Sequence, residues 1–336
     1  MSDSYRALRL WAEKEPRCEL VQVSVEELSP GDVVIAPEFS AINYKDAMAA
    51  TGAAPILRVP TLIGGIDAAG TVVSSKNEKF VAGQPVLVTG CGLSETRDGG
   101  FAERLRMPGD FLIDIPSPFT PRSAAILGTA GFTAMLAIER LQENHIMPGA
   151  GPVLVTGASG GVGSLAVLLL SRLGYSTIAM TGKSEAHDVL RALGASEIRE
   201  PFDLSADPEG LAKAEIAGAI DNLGGNAIPL LVRMTQPWGS VVSIGRATGN
   251  EFRGSVIPFI IRGVSILGVT SANCPMERRH RAWSQLFEIL QPEDLEPLVE
   301  DTIDLEDLPD RFPLYIEGRA RGRTLVRLVQ DYGRTI

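Results

Sequence analysis

Residues 153–163 read Val-Leu-Val-Thr-Gly-Ala-Ser-Gly-Gly-Val-Gly, a short apolar run that ends in a glycine-rich turn. Apolar residues at helical spacing follow at once. Glycine lets the backbone approach a ligand closely, and the first turn of a helix offers N–H groups and a partial positive charge to an anion. The stretch therefore predicts the strand, turn and helix of a dinucleotide-binding unit. A turn that only packs a helix tightly against a sheet is the alternative. The residues expected beside the pyrophosphate are Ser159, Gly160, Gly161 and Val162.

Strands and helices alternate after this motif. The predicted strands cover residues 153–156, 177–181, 217–221, 240–244 and 264–269, and the predicted helices cover residues 123–144, 164–173 and 184–193. Short, fully apolar strands that alternate with helices are typical of a parallel sheet covered on both faces. The fold class is therefore α/β, with a doubly wound parallel-sheet domain.

The end of the next strand indicates which dinucleotide is bound. An NAD site usually has Asp or Glu there to bind the ribose hydroxyls. This chain instead has Thr181, Gly182 and Lys183, followed by Ser184. An ammonium with hydroxyls and backbone N–H groups attracts a 2′-phosphate, whereas a carboxylate repels it. The stretch therefore predicts NADPH, although a solvated loop lysine is the alternative.

Two further arginines are candidate cofactor contacts. Arg199 follows the next short segment along the chain and is within possible reach of the same phosphate. Arg246 follows the strand predicted at residues 240–244, at the carboxyl edge where ligands gather in such sheets.

The N-terminal third has a different texture. Short apolar runs broken by turn residues occupy residues 20–25, 32–39, 70–74 and 85–89, and one more such run covers residues 323–329 near the C-terminus. This pattern predicts a mostly antiparallel β domain. A chain of 336 residues has room for both domains.

Composition narrows the classes of partner and compartment. The net charge of −10 disfavours nucleic acid and anionic membranes as partners. Three scattered cysteines and an N-terminal stretch without a signal-peptide pattern predict a cytoplasmic location. Residues 149–171 carry no charge and are long enough for a membrane span, but their glycines favour strand, turn and helix instead.

The glycine motif also fits the short-chain dehydrogenases, which pair it with a downstream Tyr-x-x-x-Lys. Tyr175 is followed at that spacing by Ala179, and Tyr315 is followed by Arg319. The pair is therefore missing downstream, and that class is excluded.

Six stretches together resemble another superfamily. They are residues 42–46 (Ile-Asn-Tyr-Lys-Asp), 65–72, 128–135, 156–163, 258–264 and 322–326. These stretches are similar to the motifs of the medium-chain dehydrogenase/reductase superfamily, in its zinc-independent group of acrylyl-CoA reductases and quinone oxidoreductase-like proteins. The resemblance implies a GroES-like, mostly β catalytic domain at residues 1–122 and 300–336 and a Rossmann domain at residues 123–299. It also implies a homodimer.

The resemblance implies NADPH-dependent reduction of an activated C=C bond, with acrylyl-CoA converted to propanoyl-CoA. A quinone or enone reductase of the same superfamily is the first alternative. An NADPH-binding sensor without turnover is the second.

No zinc is expected. Tyr44 occupies the position of the first zinc ligand, and Gly65-Ile66-Asp67 replaces the family's Gly-His-Glu. A catalytic zinc needs Cys, His or carboxylate ligands. The histidines lie apart, without ligand spacing, and read as solvated side chains.

Tyr44 and Asn43 are the candidate catalytic residues. The resemblance places Tyr44 beside the nicotinamide, where it either donates a hydrogen bond to the substrate or packs against the ring. Asn43 either orients the substrate or holds the backbone. Lys45 and Asp46 are expected as an ion pair or as helix N-terminal charges. Further cofactor contacts implied by the resemblance are Thr129, Ile260, Ser271 and Arg323.

A coenzyme A substrate also needs cations for its phosphates. The sequence offers Arg278, Arg279 and Arg281, which we interpret as a solvated helix face with phosphate binding as the alternative.

Overall fold

The structure is a computed structural model that describes residues 4–13, 16–205 and 210–329. The chain divides into two compact units. The first consists of Met1–Thr129, Ala272–Phe287 and Gln291–Ile336, and the second of Ala130–Ser271 and Glu288–Leu290.

The first unit is built on mostly antiparallel sheets, in which, of the described strands, only Val299–Asp304 and Arg323–Arg327 pair in parallel. Its first strands are β1 (Tyr5–Trp11), β2 (Arg17–Val23), β3 (Val33–Ala41), β4 (Thr61–Ile63), β5 (Asp67–Ser75), β6 (Pro85–Thr89), β7 (Leu105–Met107) and β8 (Ile113–Asp114), with helix α1 (Tyr44–Thr51) after β3. One sheet has the order β2-β1-β4. Alternating apolar residues of these strands pack into the core, as the N-terminal texture predicts.

Helix α2 (Pro121–Glu143) follows the first strands and is bent at Gly128, whose φ of 46° and ψ of −152° are not helical. Among the described residues, α2 is the one helix that is long enough and apolar enough to cross a membrane. Of its most apolar 18-residue window, 89% is buried inside the protein. A core helix passes the same test. Residues 149–171, by contrast, form strand, turn and helix.

The second unit is a parallel sheet with helices between its strands. Its elements are β9 (Val153–Val155), α3 (Gly161–Arg172), β10 (Thr177–Met180), α4 (His187–Ala192), β11 (Glu197–Arg199), β12 (Ile216–Asp221), α5 (Ala227–Met234), β13 (Thr235–Ser243), α6 (Ile257–Arg262) and β14 (Ser265–Gly268). The strand order is β11-β10-β9-β12-β13-β14, with every neighbouring pair parallel. This is the Rossmann order, so the predicted α/β class is confirmed.

The chain's last elements return to the first unit. They are α7 (Met276–Ile289), α8 (Pro292–Leu295), β15 (Val299–Asp304), α9 (Leu308–Ile316) and β16 (Arg323–Arg327). Strand β16 pairs antiparallel with β3, which extends the large sheet to the order β15-β16-β3-β5-β6-β8, and β7 pairs with β3 beside it. The predicted strand near the C-terminus is thus part of the GroES-like sheet.

Local details differ from the sequence expectations. The helix predicted at residues 184–193 is a 3-10 turn, Ser184–Ala186, followed by the short α4. Strand β13 begins at Thr235 rather than at residue 240. The sequence Pro237-Trp238-Gly239 resembles a turn, but it lies within the strand, at a shift in the pairing register with β12. Helices α5 and α6 had no sequence expectation.

The sequence places residues 123–299 in the Rossmann domain, but residues 123–129, 272–287 and 291–299 belong to the first unit. The reason is visible in α7. Arg279 is only 1% exposed and donates from Nη1 to the Thr89 carbonyl (2.8 Å) and hydroxyl (2.9 Å). Phe287 packs against Phe119 with ring centroids 4.8 Å apart. The interpretation of Arg279 as part of a solvated face is therefore wrong.

Arg279→Met removes donors from buried acceptors, so we expect the free energy of unfolding to fall by about 2–3 kcal/mol. Arg281→Met, a change on the exposed side of the same helix, should alter it by less than about 0.5 kcal/mol. Urea denaturation followed by circular dichroism measures both. Equal effects would contradict the structural role of Arg279.

Candidate functional site

The glycine turn of the second unit brings strand β9 directly onto helix α3. Gly157 has a φ of 56°, a region that favours glycine. A Cβ at residue 163 would lie 2.3 Å from the Gly157 carbonyl oxygen, so only glycine allows this approach. A Cβ at residue 160 would meet only that same oxygen, at 3.4 Å. The turn is thus tight behind Gly163 and open in front of Gly160.

Gly160 is the N-cap of α3 and has no side chain to cap the helix. The N–H groups of the first helical turn have no partner within a helix. They therefore face the open side of the turn as donors for an anion.

A buried polar bridge fixes the turn to the neighbouring strand. The Thr156 hydroxyl donates to Asp221 Oδ1 (2.7 Å) at the end of β12. Asn222 donates from its backbone N–H to that hydroxyl (2.9 Å) and from Nδ2 to the Thr156 carbonyl (2.7 Å). Burial raises the pKa of Asp221, and the hydrogen bonds that it accepts from the Thr156 hydroxyl and from the backbone N–H groups of Leu223 and Gly224 offset part of this rise. Neither Asp221 nor Asn222 is among the site residues predicted from the sequence, although polar residues at the end of a buried strand are a usable signal for such a bridge.

Thr181 links the glycine turn to the loop that carries Lys183. Its hydroxyl donates to the Ser159 hydroxyl (2.9 Å), and both residues are buried. The same oxygen accepts the Lys183 N–H at 3.2 Å. Lys183 is half-buried, and Gly182 and Ser184 on either side are exposed. The structure thus joins the two stretches that the sequence assigned to pyrophosphate and 2′-phosphate.

The other cofactor candidates of the second unit have varied surroundings. Arg199 pairs with Glu197 (2.8 Å) and Glu215 (3.2 Å), so its guanidinium already has carboxylate partners. Arg246 is exposed in the loop after β13, and Ser271 is half-buried after β14. Ile260 lies on α6 with 70% of its surface exposed. The predicted contact of Ile260 with the nicotinamide stays a prediction.

The catalytic candidates of the first unit stand at the start of α1. Asn43 is the N-cap and forms a reciprocal capping box with Asp46. Asn43 Nδ2 donates to Asp67 Oδ2 (2.8 Å), and Asn43 Oδ1 accepts from Arg323 Nη1 (3.3 Å). These bonds occupy the amide and support its backbone-holding alternative. Tyr44, the first residue of the helix, is 37% exposed.

The Asp67 carboxylate joins three chain segments at the N-cap of α1. Besides Asn43, it accepts the Thr129 N–H (2.9 Å) and the Thr129 hydroxyl. Arg323 Nη2 lies 3.8 Å from it. Asp67 and Arg323 are each 2% exposed, and Arg323 Nε also donates to the Ile126 carbonyl (2.8 Å). The structure thus gives Thr129 and Arg323 a role in holding this cluster.

The expected pair of Lys45 and Asp46 is not present. Lys45 pairs with Glu95, whereas Asp46 accepts the backbone N–H groups of Asn43 and Ile66, each at 2.9 Å. The capping interaction of Asp46 matches the alternative expectation, a charge at the helix N-terminus.

Both domains match known family models. Residues 29–117 match the alcohol dehydrogenase GroES-like domain, and residues 161–291 match the zinc-binding dehydrogenase domain. The acrylyl-CoA reductase AcuI of Ruegeria pomeroyi is 37% identical over 306 residues, which cover 91% of this chain and 92% of that protein.

YhfP of Bacillus subtilis, which carries a quinone oxidoreductase name, is 40% identical over 332 residues, 98% of this chain and 100% of YhfP. Its crystal structure with NAD bound has a TM-score of 0.92 and covers 97% of this chain and 100% of that one. The yhdH oxidoreductase of Salmonella enterica, crystallised with NADP, gives a TM-score of 0.91 at 40% identity, over 96% of this chain and 100% of that one.

The chain belongs to the medium-chain dehydrogenase/reductase superfamily of oxidoreductases. Within this superfamily it falls in the group that contains YhfP, yhdH and AcuI. The family resemblance in the sequence is thereby confirmed.

One of the matching family models describes zinc-binding dehydrogenases, which raises the question of whether side chains of this protein could bind a metal ion. In the part of the chain that the structure describes, no three His, Cys, Asp or Glu side chains are grouped to hold a metal ion. The Asp67 carboxylate is surrounded instead by hydrogen-bond donors.

Asp46 provides a pH-dependent test of this cluster. Burial, and then the negative charge of Asp67, raises its pKa from 3.8 to about 7. The folded state therefore binds a proton that the unfolded state releases between these values. Stability from this group is highest at low pH and falls as the pH rises toward 7. Asp46→Asn cannot ionise, so its destabilising effect should be smaller at about pH 8 than at about pH 5.

Urea denaturation at the two pH values measures this difference. The exposed Asp110→Asn serves as the control and should keep the wild-type dependence. An equal cost of Asp46→Asn at both pH values would show that Asp46 titrates normally.

Proposed function

We propose that this protein is an NADPH-dependent reductase of C=C bonds conjugated to a carbonyl, with acrylyl-CoA as the substrate and propanoyl-CoA as the product. The observation that carries the proposal is the open glycine turn at the start of α3, hydrogen-bonded through Ser159 and Thr181 to the loop of Lys183. The relatives support the reaction class.

The residues of the second unit fit a dinucleotide with a 2′-phosphate. The open space at Gly160 and the N–H groups of the first turn of α3 fit a pyrophosphate. Lys183 and Ser184 offer an ammonium and a hydroxyl where an NAD site usually has a carboxylate. YhfP was crystallised with NAD and yhdH with NADP. The preference for NADPH is therefore inferred from the side chains of Lys183 and Ser184.

The bound nicotinamide would supply a hydride to the substrate β-carbon. The chain's own task is then to stabilise the negative charge that reaches the carbonyl oxygen and to deliver a proton to the α-carbon. A hydrogen-bond donor at a developing oxyanion typically contributes a few kcal/mol. Tyr44, exposed at the start of α1, is the candidate donor. Asn43 and Asp67 act on it indirectly, because they fix the first turn of α1.

An acyl-CoA is the substrate named for AcuI, and a quinone is the substrate class named for YhfP. Conjugation spreads the charge onto oxygen in both. A quinone or enone reductase is therefore the second candidate function, and binding of NADPH without turnover is the third.

NADPH absorbance with acrylyl-CoA, crotonyl-CoA and a small quinone in parallel tests the proposal. We expect turnover with the CoA esters. Turnover with the quinone alone would replace the proposal by its second candidate, and NADPH binding without oxidation would favour the sensor.

We further propose a cytoplasmic homodimer. Cys18, Cys91 and Cys274, which all lie in the described part of the chain, form no disulfide, and this suits a reducing compartment. Strand β14 ends the parallel sheet, and α6 beside it carries Ile260 and Ile261, 70% and 65% exposed. An open strand edge next to exposed apolar side chains fits a second copy of the chain.

Lys183→Asp places a carboxylate where the 2′-phosphate is expected. The preference for NADPH over NADH should fall by about 10-fold or more, because a charge-assisted bond is replaced by repulsion. The ratio of kcat/KM for the two cofactors measures it. The same change at the exposed Lys213 should leave the ratio intact, and an unaltered ratio in Lys183→Asp would remove that residue from the site.

Tyr44→Phe removes only the hydroxyl. We expect kcat to fall about 10-fold or more with little change in NADPH affinity, since the donor acts on developing charge. Tyr5→Phe, elsewhere in the first unit, should retain activity. Full turnover by Tyr44→Phe would leave Tyr44 as a packing residue.

Ile260→Lys places a charge on the apolar surface of α6, and we expect it to shift the protein from dimer to monomer in sedimentation. Val81→Lys, a change at another exposed apolar residue, should not. A wild-type monomer, or a variant that stays dimeric, would refute this interface.

A further inference from the structure

Helix α1 exposes only its beginning. Tyr44 is exposed and Lys45 is partly exposed. The next five residues, 46–50, are buried. Lys45 follows Tyr44 on this helix, and its side chain is the next one that reaches the surface.

A second cation lies close to Lys45. The Glu95 carboxylate forms an ion pair with Lys45. The backbone carbonyl oxygen of Glu95 accepts a hydrogen bond from the Arg58 backbone N–H at 2.7 Å. Burial lowers the pKa of Lys45, Asp46 raises it, and the positive charge of Arg58 lowers it again. The two positive side chains are thus near enough to repel each other.

The backbone at Arg58 is held in place, whereas the Arg58 side chain is exposed. Ile56 and Leu57, just before it, pack against the core of the first unit, which includes Ala47 of α1. The Arg58 guanidinium reaches the solvent, and it has no ion-pair partner among the residues that the structure describes. Lys45, Arg58 and Glu95 therefore present one net positive charge on a protein whose net charge is −10.

We propose that Arg58, with Lys45 beside it, forms the subsite that binds the phosphates of an acyl-CoA substrate. This inference rests on the proposed function and deepens it. An acidic protein repels a polyanionic substrate unless cations are placed locally. The pantetheine arm separates the phosphates from the thioester, so the cations that bind the phosphates do not need to touch Tyr44. Arg279, an earlier candidate for this role, is buried.

Two substrates with the same acyl group separate phosphate binding from chemistry. We would measure KM and kcat for acrylyl-CoA and for S-acryloyl-N-acetylcysteamine, which lacks the phosphates. Arg58→Glu should raise KM for the CoA ester roughly fivefold at low ionic strength and leave the short thioester unaffected. Arg58→Lys should restore most of the affinity. Lys79→Glu is the matched control, with the same change of charge at an exposed position of the same unit.

An equal rise of KM for both thioesters, or no rise for either, would overturn the subsite. If the wild type reduces neither thioester, the proposed function fails and titration with CoA itself decides the subsite. A weaker Kd for CoA in Arg58→Glu but not in Lys79→Glu supports it, and equal values in all three proteins overturn it.

Discussion

The close approach of Gly163 to the Gly157 carbonyl is the constraint on which the second unit depends. A Cβ at residue 163 would lie 2.3 Å from that oxygen, so the helix can start directly at the strand end only without a side chain. The Thr156 and Asp221 side chains then tie this turn to β12. A loose glycine loop would lose its donors to water. The bridge keeps them at the edge where a dinucleotide binds in such sheets.

The first unit depends on a different feature, a charged cluster buried in its core. Asp67 lies in the core, where an unpaired carboxylate would be costly. Its oxygens are satisfied by Asn43, Thr129 and the nearby Arg323, which come from three distant parts of the chain. The need to satisfy one carboxylate therefore sets where α1 begins and where Tyr44 stands.

The sequence predicts the parallel sheet and the glycine turn because both depend on local patterns: apolar runs, glycine spacing and helix periodicity. It does not predict the environment of Arg279, because no local pattern tells a buried arginine from a solvated one. The same holds for Asn43, whose partners Asp67 and Arg323 are 24 and 280 residues away. A missing carboxylate points to Lys183 in the sequence, whereas the hydrogen bond from its N–H to the Thr181 hydroxyl depends on how the loop folds.

Gly128 and Asp67 restrict each other's replacement during evolution. A methyl group at residue 128 would lie 2.4 Å from Asp67 Oδ2, and the backbone there has a conformation almost confined to glycine. A lineage could therefore exchange one of these residues freely only after altering the other and the local path of the chain. Such paired positions should drift together, which makes them a marker for descendants that keep this buried cluster.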